Sequence, residues 1–380
     1  PESGRVFVGI LDLYQIENPD GLYGNLSKYS ERVIPRPVRS RPFKDKRTFK
    51  FVADDYNEYF MNQLFELLTE YGRIHEVWFD GAHPKRKGGQ KYTYNQWYEL
   101  IRTLQPGAVI FGKGPDLRWC GNEAGNARAA EWSVIPIDAP PDKFAWPDMT
   151  AKDLGSLDKL KATLDKGGYL HWYPAETDTS IRHGWFWRDE TQKVKTTGQI
   201  LDVWFNCVGD NSVFLLNIPP NSDGLFSRRD CKVLTEVGRY LRETFETNLA
   251  DGAKAAASAT RGGRNFKAAN AIDGNTGTCW MAPEWTTEAE LTITLAGEKT
   301  FNTIMFQEQL RGFGQRIAKF AVDVQADGKW QQVAEGRTVG YKRICRFPDV
   351  TAKKVRIRIL DSRLCPTIAN VGLFQAPTMP

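Results

Sequence analysis

The sequence predicts an α/β part followed by an all-β part, and three observations lead to this prediction. Up to about residue 247, helical patterns alternate with short apolar strands, as in right-handed βαβ crossovers of a parallel sheet. Residues 252–259 are nearly all Ala, Gly and Ser, as expected of a linker. Beyond them, short runs alternate between apolar and polar residues, as in an antiparallel sandwich. We therefore predict an α/β domain over residues 1–247, a linker over 248–258 and a β-sandwich over 259–377.

Length and charge narrow the class of protein. At 380 residues the chain exceeds the usual size of one domain. Its net charge of +5 comes from 51 basic and 46 acidic residues without a long basic block, so we predict no binding to nucleic acid. No apolar run approaches the roughly 18 residues of a membrane span, and the first residues lack the pattern of a signal peptide. The six cysteines form no Cys-x-x-Cys pair, so neither a zinc site nor a dense disulfide framework is indicated.

Apolar runs and helix signals define the elements of the α/β part. We predict strands near residues 7, 77, 110, 171 and 215. Helices are predicted at residues 94–104, 156–164, 191–207 and 229–246, with an earlier one that begins after Asp54 or Asp55. Long loops are predicted at residues 15–47 and 112–140. Because a complete (β/α)8 TIM barrel has eight strands in about 250 residues, we predict a partial barrel.

Carboxylates stand at or after the ends of these strands. Asp80 ends the strand of Glu76 to Phe79, and Glu123 lies in the loop after the next strand. The carboxyl ends of parallel strands carry the chemistry in barrels and doubly wound sheets. Two carboxylates with aromatic neighbours suit hydrolysis of a glycosidic bond, in which one stabilises the reacting carbon and the other donates a proton. Asp80 before Gly81 also fits an ordinary turn, and such acids are often solvated or paired with arginine.

Seven short motifs in this part are more specific than the strand pattern. They are HEVWFDGAHP at residues 75–84, WCGNEAG at 119–125, EWSV at 131–134, YPAE at 173–176, SIR at 180–182, GWF at 184–186 and LLNIPP at 215–220. In this order they closely resemble the α-L-fucosidases of glycoside hydrolase family 29. The resemblance is strongest to the subgroup that acts on α-1,3/1,4-linked fucose, and it covers residues 6–247.

The resemblance implies an exo-acting hydrolase that retains configuration through a covalent intermediate. Asp80 would be the nucleophile that forms the fucosyl-enzyme ester and Glu123 the general acid/base, with their carboxyl groups about 5–5.5 Å apart. Glu131 is the alternative acid, and it could equally form an ion pair within its loop. Because one carboxyl must hold its proton while the other is ionised, we predict a rate maximum on the acidic side of neutral pH. Neither a cofactor nor a catalytic metal is expected.

Side chains near these acids are candidates for binding a fucosylated oligosaccharide or glycoconjugate. The resemblance implies fucose contacts by Trp78 and Trp119, the latter as an apolar wall against the C6 methyl group or beside the acid. His83 is a candidate contact to the aglycone, although a lone histidine is more often a surface or core residue. Arg182 is a candidate rim contact or a partner of Glu176, and this pair could equally be a structural salt bridge.

The sequence also departs from the family. The first three strands of the family's barrel, with a His-His pair and a Trp that hold the fucose hydroxyls, have no counterpart here. All four histidines lie from the strand of Asp80 onward, at positions 75, 83, 171 and 183. We therefore expect the C-terminal part of a barrel, and the alternative function is that of a weak or inactive fragment that binds carbohydrate. Full-length members of the family are expected to be secreted, periplasmic or lysosomal.

The second part resembles the discoidin or F5/8 type C sandwich, which is also the fold of family 32 carbohydrate-binding modules. The resemblance rests on residues 269–280 near its start and 368–374 near its end. It implies a jelly-roll-like sandwich that binds sugar or packs structurally against the barrel. Asp273 and Thr278 are candidates for a loop that holds a structural calcium ion, as in some members of this family.

Overall fold

The structure is a computed structural model, and it describes the backbone of residues 4–10 and residues 27–36, 42–81, 90–263 and 265–380. The chain forms two compact units. The first comprises Pro1–Trp119 and Ala139–Asp148, and the second comprises Cys120–Asp138 and Met149–Pro380. Among the described helices, none has both the length and the apolar character that crossing a bilayer requires.

A parallel sheet and two helices make up most of the first unit. Its elements in chain order are β1 (Gly4–Ile10), β2 (Ser30–Ile34), β3 (Phe49–Ala53), α1 (Asp55–Glu70), β4 (Ile74–Gly81), α2 (Tyr94–Leu104), β5 (Val109–Phe111) and β6 (Arg118–Trp119). Strand β4 lies between β1 and β5 and runs parallel to both. The predicted strands near residues 7, 77 and 110 and the predicted helix over residues 94–104 are therefore confirmed.

Helix α1 begins where the sequence offers a capping carboxylate. Asp54 accepts a hydrogen bond from the backbone nitrogen of Asn57 at 2.9 Å, which satisfies one of the free donors of the first turn. Gln90 Nε2 donates to the other oxygen of Asp54 at 2.7 Å. The cap is thus Asp54, while Asp55 is the first residue of the helix.

The apolar faces of α1 and α2 cover one face of β4. Phe60 of α1 and Trp97 of α2 stack with their ring centroids 4.0 Å apart. The ring of Phe79 lies 5.9 Å from the first and 5.8 Å from the second. Because side chains alternate along a strand, Trp78 and Asp80 belong to the opposite face of β4.

The prediction of a loop over residues 15–47 is wrong at Ser30–Ile34. These residues form β2, which pairs antiparallel with β3. Residues 15–26 and 37–41 of that loop lie outside the described residues. Arg32 and Arg36 both bind the buried Glu58 of α1, at 3.1 and 2.7 Å. Because β2 has only two consecutive apolar residues beside an arginine- and proline-rich segment, its sequence lacks the pattern of a strand.

The second unit contains further α/β elements. They are β7 (Val134–Ile137), α3 (Leu157–Leu164), β8 (Tyr169–Trp172), β9 (Ala175–Ser180), α4 (Thr197–Val208), β10 (Ser212–Asn217) and α5 (Arg228–Phe245). Strands β9 and β10 are parallel, with Ala175 opposite Ser212 and Ser180 opposite Asn217. The predicted strand near residue 215 and the helices near 156–164 and 229–246 are confirmed. The described residues form no closed ring of eight strands.

One of the five predicted parallel strands is assigned to the wrong segment. Strand β8 pairs antiparallel with β7, and the parallel partner of β10 is β9. Strand β9 reads Ala-Glu-Thr-Asp-Thr-Ser, a polar sequence, yet all six residues are buried. Thr177 Oγ1 donates to the carbonyl of Val213 at 2.9 Å, and this hydrogen bond compensates the burial of the Thr177 hydroxyl.

Two further predicted boundaries in this region are wrong. The predicted loop over residues 112–140 contains the short strands β6 and β7. The helix predicted from residue 191 begins only at Thr197, because Thr196 and Gln199 form a capping box there. The polar residues before Thr196 lack the reciprocal cap and lie outside the helix.

The C-terminal part of the second unit is antiparallel β-structure. Its strands are β11 (Lys254–Ala257), β12 (Trp280–Met281), β13 (Ala289–Gln307), β14 (Ile317–Ala326), β15 (Lys329–Gly336), β16 (Arg343–Ser362), β17 (Thr367–Ile368) and β18 (Asn370–Phe374), with a 3-10 helix at Ala268–Ile272 and a short helix α6 at Leu310–Phe313. A sheet of order β11-β13-β16-β14-β15 carries β18 on β13. The turn between β14 and β15 has positive φ at Asp327 and Gly328, 51° and 75°, which suits a tight hairpin.

The predicted linker over residues 248–258 is wrong where β11 forms. Ala255 and Ala257 pair with Ile293 and Leu291 of β13 and pack against the apolar core of the sandwich. Because alanine has a low strand propensity and the neighbouring residues are small, the sequence of β11 has the composition of a flexible segment. Its pairing with β13 determines its conformation.

A buried carboxylate joins two neighbouring strands of the sandwich. Asp323 of β14 binds Arg356 and Arg358 of β16, both at 2.7 Å. Burial opposes ionisation of Asp323, but the hydrogen bonds from the two arginines outweigh burial and lower its pKa. Because its folded pKa is lowered, Asp323 stabilises the fold above the unfolded pKa, and this contribution is lost as pH falls through the folded pKa.

We expect Asp323→Asn to lower the free energy of unfolding by about 2 kcal/mol near pH 7, because two arginines lose their bonds to this carboxylate. The difference between wild type and variant should shrink below about pH 4, where the wild-type carboxyl also becomes neutral. Urea unfolding at both pH values measures it. Asp361→Asn, at an exposed aspartate of β16, is the matched control. A difference that does not depend on pH would contradict the assignment to this carboxylate.

Candidate active site

The carboxyl end of β4 carries Asp80 in the first unit. Asp80 pairs in register with Gly9 of β1, and its side chain is exposed. Since β4 is the middle strand of the three, an acid at its end stands where parallel sheets expose their functional side chains. The predicted location of Asp80 at a strand end is confirmed, while its catalytic role stays a prediction.

Two of the predicted sugar contacts, Trp78 and Trp119, lie among the described residues of the first unit. Trp78 shares the face of β4 with Asp80, and its ring stacks on Phe111 of β5 with centroids 4.9 Å apart. Trp119 is half-buried at the end of β6. The third predicted contact, His83, lies outside the described residues. Trp78 and Trp119 are thus partly accessible, as a sugar contact requires.

A glycine after β5 allows the backbone to approach β4 next to Asp80. Gly112 has a φ of +78°, and a Cβ atom at this position would lie 2.5 Å from the carbonyl oxygen of Phe79. No side chain fits there unless the backbone moves. The close approach of Gly112 therefore fixes the strand immediately before Asp80.

The loop that carries Glu123 belongs to the second unit and is organised by hydrogen bonds. Asn122 Oδ1 accepts from the backbone nitrogens of Ala124 and Asn126 at 3.1 and 3.2 Å, and its Nδ2 donates to the carbonyl of Asn126 at 2.8 Å. The thiol of Cys207 donates to the carbonyl of Gly125 at 2.6 Å. Burial raises the pKa of this thiol to about 12, so it keeps its proton at neutral pH.

An indole nitrogen holds the carboxylate of Glu123. The side chain of Glu123 is exposed, and its Oε2 accepts a hydrogen bond from Trp185 Nε1 at 3.0 Å. Asn217, the last residue of β10, donates from Nδ2 to the carbonyl of Trp185 at 2.8 Å and to Ser180 Oγ at 3.0 Å. The ends of β9 and β10 thereby position the group that binds Glu123.

The alternative acid, Glu131, has a different environment. Its side chain is fully buried, and Oε2 accepts from the backbone nitrogen of Arg128 at 3.0 Å and from its guanidinium at 3.3 Å. The guanidinium also donates from Nε to the carbonyl of Ala151 at 2.8 Å. The ion pair within the loop, which was the alternative interpretation of Glu131, is therefore present.

Arg182 does not lie on a rim, so that prediction is wrong. Its side chain has 0% exposure, and its Nε lies 2.9 Å from Asp230 of α5. The guanidinium also donates to Ser227 Oγ and, at 3.0 Å, to the carbonyl of Asp189. The salt bridge of Arg182 is thus with Asp230, in place of the predicted pairing with Glu176, and a role in substrate binding has no support from these contacts.

The candidate calcium loop of the sandwich is closed by its own hydrogen bonds. Asp273 accepts from the backbone nitrogen of Asn275 at 2.8 Å and from Thr278 Oγ1 at 2.7 Å. In the described parts of the chain, no group of three or more His, Cys, Asp or Glu side chains could hold a metal ion. One carboxylate with neutral oxygens is a weak donor set for calcium, which usually takes six to eight oxygen ligands.

Trp185 and Asn217 have roles at the site that the sequence did not reveal. Both stand in motifs that carry the family resemblance, GWF at residues 184–186 and LLNIPP at 215–220. The motifs mark the residues but do not show which acid the indole reaches. That contact joins positions 62 residues apart, and it depends on β10 lying parallel to β9.

Glycoside hydrolases with an α/β fold typically carry one acid at the end of a parallel strand and a second acid on a loop that comes later in the sequence. The family model described as Alpha-L-fucosidase matches residues 28–246, and that of the F5/8 type C domain matches residues 254–370. A curated relative, Alpha-L-fucosidase 1 of Arabidopsis thaliana, is 36% identical over 326 residues, which cover 84% of this chain and 62% of the relative. The chain belongs to the alpha-L-fucosidase family, and the predicted family of both parts is confirmed, while the subgroup stays a prediction.

Solved structures agree with this assignment. A GH29 fucosidase of Ruminococcus gnavus, in complex with fucose, matches with a TM-score of 0.73 at 32% identity and covers 86% of this chain and 66% of that one. An aspartate-to-alanine mutant of that fucosidase, also with fucose, matches with a TM-score of 0.76 at 29% identity and covers 98% of this chain and 72% of that one. The predicted fold class is confirmed. This chain spans about 60% of the length of the curated relatives it matches.

We expect Gly112→Ala to destabilise the first unit by about 2–3 kcal/mol, because a methyl group would meet the carbonyl of Phe79. Gly72→Ala is the matched control, since Gly72 also has a positive φ, +86°, but has no atom within 4 Å of the added Cβ. The control should cost only the backbone strain, about 1 kcal/mol. Denaturant unfolding measures both variants, and equal losses would show that the close approach to β4 is unimportant.

Proposed function

We propose that the protein is an exo-acting α-L-fucosidase that removes terminal α-L-fucose from oligosaccharides or glycoconjugates with retention of configuration. The observation that carries this proposal is the exposed Asp80 at the carboxyl end of β4 in a chain of the alpha-L-fucosidase family. The family resemblance further favours α-1,3/1,4-linked fucose as the substrate.

The proposed mechanism is a double displacement. The carboxylate of Asp80 attacks the anomeric carbon of fucose while Glu123 gives its proton to the departing glycosidic oxygen, so that a fucosyl ester forms on Asp80. Glu123 then takes a proton from water, and the water oxygen attacks the same carbon and breaks the ester. Trp78 and Trp119 would contact the fucose, with Trp119 against its methyl group, and His83 would contact the aglycone.

Glu123 is the better candidate for the acid than Glu131. A general acid must come within hydrogen-bonding distance of the leaving oxygen, and the side chain of Glu123 is exposed. Glu131 is fully buried and binds Arg128, so its proton has no path to a substrate without rearrangement of the loop. The hydrogen bond from Trp185 also limits the orientations of Glu123, which lowers the entropic cost of proton transfer.

A second candidate function is carbohydrate binding by the sandwich, with a barrel part of little activity. The observation that favours it is Trp285, whose side chain is 89% exposed and whose backbone has a φ of 66°. Exposed aromatic side chains can stack on the apolar face of a sugar. A calcium ion near Asp273 and Thr278 is also a proposal for the sandwich, and the catalytic mechanism does not use it.

We expect the wild-type chain to hydrolyse an aryl α-L-fucoside and Asp80→Asn to lower kcat/KM by at least about 1,000-fold, because the amide cannot form the ester. Asp251→Asn, at an exposed aspartate remote in sequence, should retain full activity. Release of the aryl group is the measurement. Turnover that Asp80→Asn leaves intact would exclude this nucleophile. If the wild type lacks turnover but binds fucosylated glycans, and Trp285→Ala abolishes that binding, the second function is favoured.

We expect Trp185→Phe to reduce kcat about 10-fold on an alkyl α-L-fucoside, because Glu123 loses the hydrogen bond that orients it. The loss should be smaller on a 4-nitrophenyl fucoside, whose leaving group needs little help from an acid. Trp187→Phe, two residues away on the same loop, is the control. An equal loss on both substrates would mean that Trp185 serves only to pack the loop.

A further inference from the structure

The end of the loop that carries Glu123 is bound by a residue of the C-terminal sandwich. Gln315, which follows α6, is buried, and its Nε2 donates to the carbonyl of Glu131 at 2.9 Å. Its Oε1 accepts from the backbone nitrogen of Ser133 at 2.7 Å. One glutamine side chain thus makes two hydrogen bonds to backbone groups that are 180 or more positions away in sequence.

A second side chain binds the same carbonyl. Asn211, between α4 and β10, donates from Nδ2 to the carbonyl of Glu131 at 2.9 Å and to Ser133 Oγ at 3.2 Å. Its Oδ1 accepts from the backbone nitrogen of Tyr341 in the sandwich at 2.7 Å. Asn211 has a φ of 65°, a conformation that asparagine tolerates better than most residues. A Cβ atom on Gly340 would lie 2.4 Å from the Asn211 side chain, so only glycine fits there.

A buried carboxylate joins the two sandwich segments that make these contacts. Glu308 accepts from the backbone nitrogens of Arg316 and Ile317 at 2.6 and 2.9 Å through one oxygen, and from that of Gly340 at 2.7 Å through the other. The segment of Gln315 and the turn before Tyr341 are therefore fixed relative to each other. We call Gln315, Asn211 and Glu308 the loop clamp.

The loop between Cys120 and Glu131 is held at both ends. At its start, the backbone nitrogen of Cys120 donates to the carbonyl of Glu176 in β9 at 2.9 Å. At its end, the loop clamp binds Glu131. Between these points the loop is held by the hydrogen bonds of Asn122, of Cys207 to the carbonyl of Gly125, and of Arg128 to Glu131 and to the carbonyl of Ala151. Because a loop fixed at both ends has fewer conformations than one fixed at one end, release of Glu131 should make the loop open more often, although Gly125 and Arg128 keep their own contacts.

We propose that the C-terminal sandwich positions the loop that bears Glu123, with Gln315 as the positioning residue. Gln315 acts through the backbone of Glu131 and Ser133 and does not touch the substrate. The sandwich therefore helps to position the acid, Glu123, in addition to any role that it has in binding sugar. The catalytic consequence rests on the proposed function, whereas the effect on the loop does not.

Hydrogen–deuterium exchange in the full chain tests the effect on the loop. In Gln315→Ala, the amides of residues 122–126 should exchange about 5-fold faster or more, although none of them binds Gln315. Gln331→Ala, at an exposed glutamine of β15, should leave them unchanged. If Gln315→Ala fails to fold, Gln315→Met keeps the length of the side chain and removes both hydrogen bonds. Faster exchange confined to residues 131–133 would overturn the proposal.

Kinetics with two leaving groups test the consequence for Glu123. In Gln315→Ala, kcat on an alkyl α-L-fucoside should fall about 10-fold more than kcat on a 4-nitrophenyl α-L-fucoside, since only the poor leaving group needs a well-placed acid. A variant that merely unfolds in part would lose both activities equally, and that result would overturn the positioning role. If the wild type turns over neither fucoside, the proposed function is rejected, and the exchange experiment still decides the role of Gln315.

Discussion

The parallel pairing of β4 with a strand on each side determines where Asp80 stands. Hydrogen bonds to β1 and β5 fix the direction of the strand, and the alternation of side chains places Phe79 in the helical core and Asp80 on the other face. Helices α1 and α2 pack their shared aromatic core against the face of β4 that carries Phe79. A shift of one residue in the register would exchange the two faces, so the position of one exposed carboxylate depends on the apolar packing of the entire first unit.

The loop of Glu123 depends on a different kind of interaction. Apolar packing positions Asp80, whereas hydrogen bonds position Glu123, through Asn122, Trp185 and the ends of β9 and β10. Hydrogen bonds are directional, so they specify the orientation of a loop more sharply than apolar contacts do. Each also links a particular pair of side-chain and backbone groups, so a single substitution removes the bond completely.

The sequence was sufficient to predict those helices and strands in which apolar residues recur with the period of the element. That is why α2, β4 and β10 agree with their predictions, and why Asp80 could be placed at a strand end. Strand β9 was missed because its six buried residues are mostly polar, and β11 because alanine favours no strand. The contacts of Glu123 and Glu131 could not be predicted either, since they join distant positions through side chains whose partners only the fold determines. The family resemblance supplied the candidate roles of Asp80 and Glu123, and the apolar run before Asp80 supplied its position at a strand end.

The position of Asn211 has a consequence for how such proteins can be rearranged during evolution. This side chain lies between a turn of the α/β part and the backbone of Tyr341, so residues from both sequence modules complete one buried polar cluster. A gene fusion that replaced the sandwich by an unrelated binding domain would remove the donor to Asn211 Oδ1 and one of the two donors to the carbonyl of Glu131. Exchange of modules should therefore be restricted to sandwiches that supply an equivalent glutamine and an equivalent glycine turn, and those two residues should change together with Asn211 in related chains.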